Sequence, residues 1–271
     1  MKFGLALPYG SARSTARLCQ VAEASGWDGC FVGDAIWCED PMIALAAAAM
    51  VTQRIRLGTL IIPMPLRRPW KVASETVALD RLSEGRLILG LGAGAVWMGW
   101  QSFPDEVTDT HARAEMLDES IDILTRLYQH KPFDYAGKHY HLKLTLLDEM
   151  HYPPPPVQQP RVPLWVVGIY PHHKSMQRIL KCDGVILEKQ GADVTPADVR
   201  EVRDFVHAQR TLTTPFDIVI QGKSDPLTPA RQRETFLEWQ AAGATWWIES
   251  LIGLSEVEAS ARLQAGPLPL T

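Results

Sequence analysis

The stretch from Arg54 to Gly94, RIRLGTLIIPMPLRRPWKVASETVALDRLSEGRLILGLGAG, restricts the fold more than any other part of the chain. Ile55 to Ile62 is an almost unbroken apolar run, the pattern of a strand covered on both faces. Pro63 and Pro65 end it, because proline cannot donate to a ladder. Pro69 suits the first turn of a helix, where a missing N–H costs nothing. Trp70, Ala73, Val77 and Asp80 follow at helical spacing, and Gly85 stops the helix. Arg86 to Leu91 is a second buried strand, ending in Gly92-Ala93-Gly94. A strand, helix and strand in this order form a right-handed βαβ unit and require a parallel sheet.

The rest of the chain repeats the unit. Lys2 to Leu7 is a strand and Ser14 to Ser25 a helix. Gly29 to Gly33 is a strand, and Asp40-Pro41 caps the apolar helix Met42 to Gln53. Ala114, Leu117, Ile121, Leu124 and Tyr128 mark a long fourth helix. Strands follow at Pro163 to Gly168, Gly184 to Glu188, Phe216 to Gln221 and Ala244 to Glu249. Helices follow at Lys174 to Lys181, Thr195 to Gln209, Pro229 to Ala242 and from the capping box Ser255-Glu256-Val257-Glu258. Eight strands alternating with eight helices within 271 residues predict one α/β domain, a (β/α)8 TIM barrel spanning 1–271. The alternation breaks only over 131–162, read as an insertion with a small hairpin tipped by Ala136-Gly137 and a proline-rich return.

A net charge of -4 argues against a nucleic-acid or anionic-membrane partner. No apolar run approaches the roughly 20 residues that span a bilayer, and MKFGLALPYG is too short in its apolar part for a signal peptide. Cys19, Cys30, Cys38 and Cys182 form no CxxC pair and read as reduced thiols of a cytoplasmic protein.

In such a barrel the active site lies at the C-terminal strand ends. These are Pro8, Asp34 to Trp37, Thr59 to Pro63, Gly92 to Trp97, Gly168 to Ser175, Glu188 to Gln190, Gln221 to Lys223 and Glu249 to Leu251. The first strand ends without the His-x-His of a metal-dependent hydrolase barrel. His139-x-His141 has ligand spacing but lies in the insertion without a partnering acid or Cys, so no metal site is expected. There is no Gly-x-Ser-x-Gly, and Cys38 has no adjacent base. Gly90-x-Gly92-x-Gly94 follows a strand, but no helix begins at once to meet a pyrophosphate. Its small residues instead let a flat ligand lie on the backbone. Trp37, Trp70, Trp97 and Trp100 fall near the mouth, as aromatic walls or as packing. Asp34 is the acid best placed at a strand end. Arg67 and Arg68 read as surface or interface charges, or as attractors of an acidic substrate.

The 54–94 block, with AEASGWDGCFVGD before it and PRVPLWVVG, CDGVIL and AAGATWWIES after it, resembles the bacterial-luciferase-like flavin-dependent oxidoreductases over nearly the whole chain. The resemblance implies a barrel holding FMN or coenzyme F420 at its C-terminal mouth. It places a bulge, often with a non-proline cis peptide, at Thr59-Leu60-Ile61 beneath the ring, and ring contacts at Gly92 and Gly94. It places the anionic tail near Gly168, Lys174 and Ser175; barrels in general often bind phosphate after strands seven and eight, which keeps Gly222 and Lys223 open as a second option. It also implies a homodimer through helices near the second and third strands, a small-molecule substrate, and NAD(P)H or a flavin reductase as electron donor. Asp34 and Trp37 are the catalytic candidates.

Two departures accompany it. Many F420-dependent members carry Asp-His after the second strand, where this chain has Asp34-Ala35. Those members often carry a glutamate after the fourth strand, where this chain has Ala93-Gly94-Ala95. The expected activity is hydride transfer or monooxygenation of a small organic molecule. The rival readings are a non-catalytic flavin-binding protein of the same fold and a metal-dependent hydrolase barrel.

Overall fold

The computed structural model describes residues 1–36, 38–148, 151, 154–224 and 229–268. Its short apolar runs are strands: β1 (Lys2–Ala6), β2 (Gly29–Val32), β3 (Arg56–Thr59) with its continuation β4 (Ile62–Pro63), and β5 (Leu87–Gly92). β6 (Asp134–Ala136) and β7 (His141–Lys143) pair as a separate antiparallel hairpin. β8 (Leu164–Tyr170), β9 (Gly184–Lys189), β10 (Asp217–Gly222) and β11 (Trp246–Ser250) complete the main sheet. Its order is β3-β2-β1-β11-β10-β9-β8-β5-β4, every pairing is parallel, and a β3–β5 pairing closes it into a barrel.

The outer layer is α1 (Ala12–Ala24), α2 (Pro41–Ala49), α3 (Pro69–Leu82), α4 (Thr110–Leu127), α5 (His173–Ile179), α6 (Pro196–Gln209), α7 (Pro229–Ala242) and α8 (Glu256–Gln264). Proline opens α2, α3 and α6. Reciprocal capping boxes at Thr195/Asp198 and Ser255/Glu258 satisfy first-turn N–H groups. No helix among the described residues is long and apolar enough to cross a membrane.

Several boundaries differ from expectation for local reasons. α1 starts at Ala12 because the Ser11 hydroxyl accepts from Ser14 N–H. α2 ends at Ala49, not Gln53, because the Glu23 carboxylate captures the N–H groups of Gln53, Arg54 and Ile55 and turns the chain toward β3. The predicted single strand 55–62 is two strands, broken at Leu60-Ile61.

Strand alternation sorts side chains into two cores. Outward residues pack under the helices. Inward ones, Ala6, Phe31, Ile88, Trp165, Ile186, Val219, Trp246 and Ile248, fill the barrel. Phe31 stacks on Trp165 at 5.2 Å, and Trp246 meets both rings edge-on. Glycines make room for them: a Cβ at Gly4, Gly29 or Gly58 would come within 2.9 Å of the Phe31 ring. The interior is therefore a plug, and any ligand site lies above it or below it.

The insertion is pinned by side-chain acceptors. Glu119 on α4 accepts from the N–H groups of Lys138, His139 and Tyr140. His139 does meet an acid, the Glu115 carboxylate at 2.9 Å, contrary to the sequence reading. Lys138 and His139 hold the Glu115 carboxyl down to about 2. The pair fastens the hairpin to α4, and no cluster of three metal-binding side chains occurs among the described residues. On the return, Gln158 donates to Asp80 and to Leu87 O, both at 2.7 Å.

Candidate active site

The bulge between β3 and β4 is built around one hydroxyl. Thr59 is fully buried, donates to Gly90 O at 2.9 Å and accepts from Gly90 N–H at 3.0 Å. The side chain thus replaces the backbone partner that β5 loses where β3 breaks away. Gly90 is required opposite it, since a Cβ there would sit 2.1 Å from Thr59 O. The Leu60–Ile61 peptide bond is cis, as the resemblance implied. Leu60 N–H returns to Val32 O at 2.7 Å, which fixes the bulge against β2.

Above the bulge lies a cavity of about 480 Å³, within the usual range for a small-molecule site. Leu60, Ile61 and Pro63 line one wall and Gly92, Ala93, Gly94 and Ala95 the next. Val167 and Ile169 on β8 close the far side, with Tyr9 and Asp34 opposite and Val96, Trp97, Met98 and Trp100 at the rim. A Cβ at Gly92 would meet Ile61 Cδ1 at 2.9 Å, so glycine keeps this part of the cleft open. Gly94 has φ +76°, and a Cβ there would press on Pro63 and the Arg113 guanidinium at 2.6 and 2.7 Å.

Arg113, 1% exposed on α4, ties the cleft loop at both ends. Its Nε donates to Ala93 O at 2.8 Å and its Nη1 to Val107 O at 2.7 Å. Its Nη2 is buried without a partner, and burial lowers the guanidinium pKa.

Asp34 does not project freely into the cleft. Arg67 Nε donates to it at 2.7 Å, and Arg67 Nη2 reaches Asp40 at 2.8 Å. Burial opposes the Arg67 charge, but the two carboxylates outweigh it and raise the pKa. Burial likewise raises Asp40, yet Arg67 and the N–H groups of Met42 and Ile43 leave it lowered overall. Arg67 is therefore an internal fastener of the β2–α2 connection, not a surface charge. The Cys38 thiol is pushed up by burial and by Asp34, so it is no activated nucleophile.

Of the residues picked from sequence, the cleft brings together Asp34, Leu60, Ile61, Gly92 and Gly94. Thr59 stands behind the wall as its support. Trp37 lies outside the described residues. Gly168 faces outward, where a Cβ would strike Val185, Ile179 and Met176, so its small size serves packing under α5. The Ser175 hydroxyl is buried and holds Ile169 N–H at 2.9 Å, and Lys174 is exposed outside the cleft. Sequence reading missed Tyr9 and Val167, and it covered Ile169 and Glu188 only within strand-end ranges, without singling them out. Counting inward positions upward from the core would have found the last three, because Trp165, Val167 and Ile169 share one face and Ile186 and Glu188 another.

Glu188 is exposed at the barrel mouth, and partial desolvation there raises its carboxyl pKa. A further cavity, about 610 Å³, spreads over the ends of β9, β10 and β11. A smaller one, about 280 Å³, opens at the N-terminal face beside Lys2, Asp217 and Trp246. That face is where barrels carry stability, not chemistry.

Residues 1–224 match the family model of the luciferase-like monooxygenases. A Mycobacterium tuberculosis protein provisionally named a coenzyme F420-dependent oxidoreductase is 39% identical over 153 residues, 54% of this chain and 42% of that one. The oxygenase component of the flavin-dependent trigonelline monooxygenase of Acinetobacter baylyi is 27% identical over 160 residues, 57% of this chain and 42% of its own length. The match thus spans less than half of either relative. The solved monooxygenase RslO1 of Streptomyces bottropensis superposes with a TM-score of 0.78 at 19% identity, covering 98% of this chain and 97% of that one, which is a likeness of fold.

Proposed function

Starting from the luciferase-like monooxygenase family, to which this chain belongs, we propose that it is an oxidoreductase holding FMN or coenzyme F420 in the cleft between the β3–β4 bulge and the end of β5. The observation that carries this reading is the cleft itself. Gly92 leaves open a space of about 480 Å³, lined by Leu60, Ile61 and the small run Ala93 to Ala95. A space of that volume has room for a tricyclic ring.

In this reading Leu60 and Ile61 support one side of the ring, and Gly92 and Gly94 bring backbone against it. Val167 and Ile169 exclude water, and Trp97, Met98 and Trp100 cover the rim. The anionic tail runs toward the loop after β8, where Lys174 is exposed. Asp34, held by Arg67, keeps the β2 end in place beside Tyr9. When bound, FMN supplies two-electron and oxygen chemistry and F420 supplies two-electron hydride chemistry, so the protein's task is positioning and dryness. The substrate is a small organic molecule. An FMN form would draw electrons from NAD(P)H or from a separate flavin reductase.

The test is a fluorescence titration of the cofactor-free protein with each cofactor in turn. Saturable one-to-one binding at micromolar concentration or below supports the reading, and it also chooses between FMN and F420. Binding of neither removes it.

A further inference from the structure

Neither Ala35 after β2 nor the run Ala93-Gly94-Ala95 after β5 carries a side chain that can move a proton. Across the mouth the structure holds one carboxyl group in an unusual position. Glu188 lines the 480 Å³ cleft and also the 610 Å³ cavity over β9 to β11, and it is the one described residue common to the two linings. It points inward by strand alternation, two residues beyond the core residue Ile186, and pairs in register with Ile169 of the cleft wall.

The charged and titratable neighbours of Glu188 are engaged elsewhere or stand apart. Lys189 is ion-paired with Asp198 at 2.8 Å, and the Tyr170 hydroxyl is hydrogen-bonded to Glu201. Asp34 is held by Arg67, and Glu249 accepts from Trp247 Nε1 and Ser224 N–H. Gln221 lies two residues past the Val219–Ile186 pair on the adjoining strand. Lys223, Asp193 and Tyr9 also line the two cavities. Among the described residues none forms a hydrogen bond or ion pair with the Glu188 side chain. An inward carboxyl group with no structural partner, at the meeting of two cavities, is available for a ligand.

We propose that Glu188 is the proton-transfer residue of this site, acting on a small organic molecule that lies across the two cavities. The inference rests on the reading that the cleft holds FMN or F420, which is the source or acceptor of the hydride. In the reducing direction the substrate carbon gains a hydride and its oxygen or nitrogen takes the displaced electron pair. The Glu188 O–H bond then breaks, and its proton bonds to that atom. The carboxylate left behind is reprotonated by water at the open mouth. In the oxidising direction the carboxylate removes the proton from the hydroxyl or amine as the hydride leaves. Partial loss of solvent shifts the carboxyl group toward its protonated, donating form relative to an ordinary glutamate.

The experiment is a fluorescence titration with FMN and with F420 across neutral pH on the wild type, Glu188→Gln and Glu188→Asp. A ring seated beside Glu188 makes its ionised form costlier, so wild-type affinity should fall as pH rises. The expected fall is about tenfold for each unit by which binding moves the Glu188 pKa. Glu188→Asp should retain this fall and Glu188→Gln should lose it. The titration of the FMN phosphate near about pH 6 is common to all three proteins and cancels in the comparison. Identical pH dependence in the wild type and Glu188→Gln overturns the proposal. So does complete loss of binding by a folded Glu188→Gln, which would make the residue a cofactor ligand. Failure of the wild type to bind either cofactor overturns the preceding reading and this one with it. Because Glu188 makes no bond within the protein, the thermal midpoint of Glu188→Gln should not fall below that of the wild type.

Discussion

Thr59 shows how one side chain can shape a site it does not touch. Its hydroxyl serves both the N–H and the C=O of Gly90, so Thr59→Val leaves two buried backbone groups unsatisfied. Such a loss costs about 1–3 kcal/mol. Denaturant unfolding should show that loss for Thr59→Val and little for Thr59→Ser. Glu188 gives the opposite sign. Its folded pKa is raised by burial, so its contribution to stability is full below the ordinary glutamate range and is lost as pH rises through the folded value. Glu188→Gln should therefore match the wild type in unfolding midpoint under acid conditions and gain on it as pH rises above the ordinary glutamate range. Parallel curves would show that the carboxyl group does not titrate abnormally. At this scale sequence reading was uneven. Gly92 and Leu60-Ile61 were legible through the family pattern. Gly168 and Ser175 were not, because a strand-end position does not reveal which way a residue faces until the inward set is known.

At the scale of elements, the strands and helices were legible wherever caps and prolines mark them, as at Asp40-Pro41, Pro69, Thr195 and Ser255. The α2 terminus was not, because a carboxylate thirty residues earlier in the chain, Glu23, ends the helix. The break in β3 had little local signature either, since apart from Gly58 every residue of LGTLII suits a strand. In the loop from Ala93 to Val107, Arg113 ties the two ends together. Arg113→Met should preserve the buried volume while freeing both carbonyls. Hydrogen exchange across 93–107 should then quicken, and cofactor affinity should fall while the barrel strands stay protected. Unchanged exchange in that loop would show that Arg113 is only a packing residue.

At the scale of the whole molecule, eight repeats of one strand–helix pattern made the barrel plain from sequence, and the closed parallel sheet bears this out. The aromatic plug was not plain, since Phe31, Trp165 and Trp246 come from three distant strands and meet only on closure. The plug confines ligands to the mouths, and glycine and small residues are concentrated at the C-terminal one. α2 presents Ile43 and Met50 to solvent at 64% and 67% exposure, and we expect this face to form a homodimer. Sedimentation should give a dimer for the wild type and a monomer for Ile43→Asp/Met50→Asp, whereas a wild-type monomer would remove that expectation. A crystal structure of the protein loaded with FMN or F420 decides whether the cleft beside the β3–β4 bulge seats the proposed planar cofactor. Density for the ring is expected between the Leu60–Ile61 bulge and Gly92 to Gly94, with Glu188 at its edge. A ring in the N-terminal cavity beside Lys2, Asp217 and Trp246, or no ring density in the cleft, would contradict it.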